Sequence, residues 1–171
     1  MTDSAFDLDE LPYLVGRACR VGDGIGADDI LAPEHAGKDL AAAAFVLAGI
    51  MPGLSLQPGD FIVAGLEFGH GAASKTTARG LRLIGAGAVI ARSFGEAFVH
   101  SALHVGLPPL QVEETAAIKT GDRLRVDIEG HKVVNLSSGD RYVIRNIYGD
   151  ALDMLRAGGM AEYLAAVRAK T

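Results

Sequence analysis

Apolar and polar positions alternate loosely from Leu14 to Val21, the period of a half-buried strand. Gly22 to Gly26 breaks that run with a glycine-rich turn ending in Asp28 and Asp29, followed by the short apolar pair Ile30 and Leu31. Lys38 to Gly49 is alanine-rich and predicts a helix, with Gly49 and Pro52 as stop signals. Gln57 to Asp60 reads as a turn, and Phe61 to Ala64, apolar throughout, as a buried strand. Gly65 to Gly71 is a loop with three glycines. Lys75 to Ile84 then takes helical spacing, with Leu81 and Ile84 on one side, and Ala88 to Ala91 is another buried strand. Ser93 is expected to N-cap a helix running to about Val105, which Gly106, Pro108 and Pro109 keep ended. This strand–helix–strand–helix order predicts a parallel sheet.

The last third changes period. Arg123 to Ile128, Lys132 to Leu136 and Arg141 to Ile147 read as short strands, divided at Gly130 and at Ser137 to Asp140 into a β-meander. Two helices follow, near Asp150 to Arg156 and Ala161 to Lys170, separated by Gly158 and Gly159. Mixed sheet and helix with no repeats or linkers place residues 1–171 in one α/β domain. Residues 1–12, acidic and polar, are expected to be a frayed segment.

Composition narrows the function classes. Apolar residues make up 49% of 171, enough for a two- or three-layer core, yet Trp is absent, so Ala, Leu, Val and Ile carry the packing. The net charge of −5 with interspersed signs and no basic arm argues against nucleic acid as a partner. No apolar run is long enough to span a bilayer and no signal segment opens the chain, so a cytoplasmic protein is expected. The one cysteine, Cys19, supplies neither an internal disulfide nor the thiolates of an iron–sulfur cluster. It reads as a small core residue.

Three glycine motifs compete for attention. Gly69-His70-Gly71-Ala72-Ala73-Ser74-Lys75-Thr76 lies between a strand and a helix, where a phosphate-binding loop sits, but Ser74 stands where that pattern requires glycine before the lysine. The underlying physics does not need the full pattern. Free N–H groups and the helix dipole favour an anion at a helix start, small residues at Gly71, Ala72 and Ala73 admit it, and Ser74, Lys75 and Thr76 offer polar contacts. The bland alternative is a tight connection capped by Ser74. Gly85-Ala86-Gly87 ends a helix and opens a strand, the wrong context for a dinucleotide fingerprint, and is expected to be a C-cap and turn. Gly22 to Gly26 is also a turn.

His100 and His104 share a helix face at the spacing of zinc pairs, but Ser101 follows the first and no third ligand is evident, so no metal site is assigned. His70, inside the loop, is a candidate proton carrier, and Glu67 is the nearest carboxylate to orient it.

Taken in order, several segments resemble one family. Gly24-Ile25-Gly26-Ala27-Asp28-Asp29-Ile30-Leu31 is similar to the aspartate-containing opening motif of the small subunit of 3-isopropylmalate dehydratase. Phe61 to Gly71 resembles its strand and Phe-Gly-x-Gly loop. Ile90-Ala91-Arg92-Ser93-Phe94, Gly106-Leu107-Pro108 and Leu155-Arg156-Ala157-Gly158-Gly159-Met160 with Tyr163-Leu164 follow at matching places. The resemblance implies a swivelling β/β/α three-layer domain of the aconitase superfamily. It implies a partner large subunit carrying a [4Fe–4S] cluster, and a hydro-lyase acting on a hydroxy-di- or tricarboxylic acid. The small subunit would contribute carboxylate binding and proton transfer.

The family loop usually reads Gly-x-Gly-Ser-Ser-Arg-Glu-His. Aligned without a gap, its serines fall on Ala72 and Ala73, its arginine on Ser74, and its Glu and His on Lys75 and Thr76. A one-residue slip brings Ser74 and Lys75 into the Ser-Arg roles, where Lys supplies charge without a bidentate fork. Ser74, Lys75 and His70 are therefore the expected catalytic residues, Gly71, Ala72, Ala73 and Thr76 the substrate-binding ones, and Asp28 the residue that positions the loop. Pro33 to Gly37 lacks the arginine common where the family discriminates substrates. Another substituted malate or maleate is thus one alternative, and a non-catalytic subunit that has lost the serine is the other.

Overall fold

The structure, a computed structural model, describes residues 13–27, 56–71 and 74–170. The expected helix at Lys38 to Gly49, the segment Pro33 to Gly37, the N-terminal twelve residues and Asp28 to Leu31 lie outside them.

The strands are β1 (Leu14–Arg20), β2 (Phe61–Ala64), β3 (Ala88–Ala91), β4 (Pro109–Gln111), β5 (Arg123–Asp127), β6 (Lys132–Asn135) and β7 (Arg141–Val143). The helices are α1 (Ser74–Leu83), α2 (Glu96–His104), α3 (Asp150–Ala157) and α4 (Met160–Ala169), with a 3₁₀ turn at Thr115–Ala117. The seven strands form one sheet in the order β4-β3-β2-β1-β5-β6-β7. From β4 to β1 the pairing is parallel, and from β1 through β7 it is antiparallel. β1 is the seam between the halves, with Ala18 opposite Phe61 on one side and Leu14 opposite Val126 on the other. The expected α/β class with a mixed sheet is what the chain adopts.

Strand alternation sorts the core into two clusters. Ala18, Phe61, Val63 and Ile90 point to one that also takes Leu124, Val126, Val133 and Tyr142, so the inner faces of both halves share it. Cys19, Ile62, Val89 and Ala91 point the other way, onto Ala78 and Leu81 of α1 and Phe98 and Ala102 of α2. β2 and β3 are buried at every position, as uniformly apolar strands require when both faces are covered.

Two local expectations change. Pro109 to Gln111 is an edge strand, where proline's missing N–H costs no ladder bond if it faces outward. The sequence there shows only helix-stopping prolines. At the start of α2 the cap is Gly95, in extended conformation, rather than Ser93. The Ser93 hydroxyl is engaged elsewhere, accepting the Glu67 N–H at 2.8 Å. Gly85, with φ of 95°, does end α1 as a C-cap, and Asp60 closes the Gln57–Asp60 turn by accepting the Gln57 N–H at 2.9 Å. Among the described residues no helix is long and apolar enough to cross a membrane.

Candidate functional site

Parallel strands release their loops at one edge, so residues 21–27, 65–71 and 92–95 leave the carboxyl ends of β1, β2 and β3 side by side, the usual place for ligands in an open α/β sheet. Backbone hydrogen bonds then knit the loops together. Gly69 N donates to Ile25 O at 2.8 Å and Ala27 N to His70 O at 2.7 Å, joining the first two loops. Phe68 N donates to Ser93 O at 3.0 Å and Gly95 N to Phe68 O at 2.9 Å, joining the second and third. Under them Phe68, Phe94 and Phe98 form an aromatic triad, with Phe68 edge-on to Phe98 at 5.3 Å and Phe94 stacked on Phe98 at 5.9 Å.

Small residues are obligatory where these loops cross. Gly69 holds φ of 78°, and a Cβ there would run into the Phe98 ring. Gly26 lies against the His70 imidazole, with a Cβ position only 2.9 Å from its Cε1. The ring is held by Nε2 at 3.2 Å from the Gly24 carbonyl. A carbonyl oxygen only accepts, so Nε2 carries the hydrogen and, in the neutral ring, Nδ1 is left as the acceptor. The orienting group is thus a backbone carbonyl and not Glu67. Glu67 instead adopts φ of 56°, unusual for a residue with a side chain, and its carboxylate is exposed.

The structure brings His70, Gly71, Lys75 and Thr76 to this edge: His70 and Gly71 in the second loop, Lys75 and Thr76 in the first turn of α1. Ser74 opens the helix. His70, Gly71 and Lys75 are exposed and Thr76 half-buried. The first turn of α1 contains no acid, so nothing there opposes the positive end of the helix dipole. Ala72, Ala73 and Asp28 lie outside the described residues. Three supporting residues were not foreseen. Asp23 Oδ1 accepts the Leu66 N–H at 3.0 Å, Ser93 Oγ that of Glu67, and buried Thr77 donates its hydroxyl to Ala27 O at 3.1 Å. Asp23-Gly24 is an Asx-turn signal that sequence inspection could have used. A threonine inside a helix gives no such sign.

Cys19 is buried in the core beside Asp60, its Sγ 4.0 Å from Oδ2, and burial together with that carboxylate pushes its thiol up from the ordinary range. His100 and His104 are exposed on α2, and among the described residues no group of three or more potential ligands converges on a metal position.

The middle of the chain, residues 48–115, matches the Aconitase C-terminal domain family. The chain is 34% identical to the 3-isopropylmalate dehydratase small subunit 1 of Thermotoga maritima, an alignment spanning 87% of this chain and 93% of the relative. It belongs to the 3-isopropylmalate dehydratase small-subunit family. A second family member, named isopropylmalate/citramalate isomerase small subunit in Methanocaldococcus jannaschii, is 32% identical over 87% of this chain and 92% of its own length. The crystal structure of 3-isopropylmalate dehydratase from the same archaeon superposes with a TM-score of 0.82 and 28% identity, covering 93% of this chain and 97% of that one. The mixed seven-stranded sheet is therefore the small-subunit fold over almost its full extent.

Proposed function

We propose that the chain is the small subunit of a two-chain hydro-lyase. It would hold a carboxylate of a substituted malate at the start of α1 and move a proton there, while a larger partner carries the [4Fe–4S] cluster. The observation that carries this reading is the convergence of three loops at the carboxyl ends of β1, β2 and β3 upon an acid-free helix start, in a chain of this family.

Each role follows from chemistry. Backbone N–H groups at the head of α1 and the dipole behind them stabilise a carboxylate, and the exposed Lys75 ammonium adds a point charge. His70 Nδ1 is a proton acceptor whose orientation is fixed by the Gly24 carbonyl and the Gly26 surface. Ser74, which opens the helix, and Thr76 in its first turn are further candidate contacts by their place in the chain. The cluster, bound in the partner, would supply a Lewis acid for the substrate hydroxyl. This chain's only thiol is buried beside Asp60 and does not suit a cluster of its own. Pro33 to Gly37, which lacks the arginine common where the family discriminates substrates, favours a second substrate reading, a substituted malate or maleate other than isopropylmalate.

The test is reconstitution with the large subunit and assay of 2-isopropylmalate, 2-methylmalate and substituted maleates. Lys75→Ala should raise KM more than it lowers kcat, and His70→Gln should lower kcat about 100-fold or more. Unchanged turnover in Lys75→Ala, Ser74→Ala and His70→Gln alike would mark the chain as a non-catalytic subunit.

A further inference from the structure

Among the described residues the antiparallel half turns one face outward, and its charge is predominantly positive. Register fixes which residues share that face. Val15 stands opposite Arg125, Arg125 opposite Val134, and Val134 opposite Arg141, a row crossing four strands. In the neighbouring row Arg17 faces Arg123, and in the next Asp127 faces Lys132. Arg17 is paired with Asp60 at 3.1 Å and Lys132 lies 4.0 Å from Asp127. Arg123, Arg125 and Arg141 form no ion pair among the described residues. The chain as a whole carries net charge −5, so this concentration of arginine runs against its own composition.

Two further observations point to a partner surface and not to a merely solvated face. The Arg125 guanidinium is stacked 4.9 Å above the Tyr13 ring, and its Nε is buried with no hydrogen-bond partner. It is therefore held in place before anything binds, which lowers the ordering cost of an interface. Around it Tyr13, Val15 and Val143 are exposed at 60%, 46% and 53%, giving the arginine–aromatic–aliphatic mixture of interface centres.

We propose that this face docks an acidic patch on the large subunit, an inference that rests on the two-chain reading above. A face-to-face pair of this chain would set arginine against arginine, and the net negative charge of the chain disfavours nucleic acid. β1 carries Val15 and Arg17 on this face and leads at Val21 into the first site loop, so one partner can grip the face and cover the site.

Binding of the purified full-length chain to its large subunit is to be measured by calorimetry and sedimentation between low and high salt. The triple variant Arg123→Glu/Arg125→Glu/Arg141→Glu should bind about 100-fold more weakly or worse and lose most of the salt dependence, with the isolated chain still folded by circular dichroism. Arg141→Glu alone, at the exposed edge strand, is the fallback should the triple variant misfold, and should weaken binding about 5-fold or more. Parent and variants binding alike would overturn the proposal while leaving the two-chain reading standing. A parent chain that does not bind the large subunit at all would overturn both. A triple variant that changes self-association of the chain alone would assign the face to a second copy and overturn the proposal.

Discussion

The two halves of the sheet close their strands in opposite ways. In the antiparallel half every turn is sealed by a nearby side chain: Asp127 accepts the Gly130 N–H at 2.8 Å, Asp122 that of Lys119 at 2.9 Å, and Asn135 those of Ser137 and Ser138 at 3.0 and 3.1 Å. In the parallel half the loops at the carboxyl ends of the strands find their partners across the molecule, Leu66 on Asp23, Glu67 on Ser93 and Ala27 on His70. A turn satisfied by its own residues needs nothing else and offers nothing else. Loops satisfied by one another can hold an open, polar edge in a fixed shape. The same fold thus separates a half that sets register from a half that presents the loops of the candidate site.

That separation predicts a contrast between two core truncations. Phe98 is fully buried under the three loops, and Leu124 is fully buried in β5. Phe98→Ala should cost about 3–5 kcal/mol and Leu124→Ala about 2–5 kcal/mol, read as the shift in urea midpoint. Only Phe98→Ala should also lower turnover per folded complex, because Gly69 packs directly on that ring. Equal loss of specific activity in both would mean that the halves are not separable.

A smaller effect tests the turn chemistry. Asn135 is fully buried and donates Nδ2–H to Asp122 Oδ2 at 2.8 Å. The Lys119 N–H first, and then this amide, hold the Asp122 carboxyl below its ordinary range. A carboxyl whose folded pKa is depressed contributes stability that is present above the unfolded value, about 3.9, and lost as pH falls through the folded one. Asp122→Asn should therefore flatten the acid limb of the stability–pH curve. Asn135→Ala should cost about 1–3 kcal/mol at neutral pH. If acid unfolding followed the same curve in Asp122→Asn as in the parent, the folded state would not be using that charge.

The sequence makes the strands and helices legible wherever period is strong. Phe61 to Ala64 and Ala88 to Ala91 are uniformly apolar, and Lys75 to Ile84 has helical spacing within one or two residues of the observed α1. The start of α1 next to Lys75 could be read for the same reason, since it depends on local chain order. What joins the loops could not. Ser93 looks like a helix cap by sequence, yet its hydroxyl serves Glu67, twenty-six residues away. The outward arginine face is equally hidden, because Arg17, Arg123, Arg125 and Arg141 come together only through register across four strands. A pattern confined to one segment can be recognised before folding, whereas a pattern made by pairing cannot.

The finest test uses a matched pair. Among the described residues only Glu67 and His131 combine a side chain with positive φ, and both sit at 56°. Such a conformation costs an ordinary residue about 1–2 kcal/mol, which glycine avoids. His131 repays it locally: its ring stacks on Tyr148 at 4.5 Å and its Nε2 donates to Ile147 O at 2.9 Å. Glu67 has an exposed carboxylate, and its conformation is kept by its own N–H on Ser93. His131→Gly should therefore lose about 1–2 kcal/mol net, because the ring contacts are worth more than the strain. Glu67→Gly should change stability by less than about 1 kcal/mol, since relief of strain and the greater entropy of the unfolded glycine nearly cancel. A large loss in Glu67→Gly would show that its side chain is structural after all, and that the parallel half of the sheet is braced by the same local means as the other.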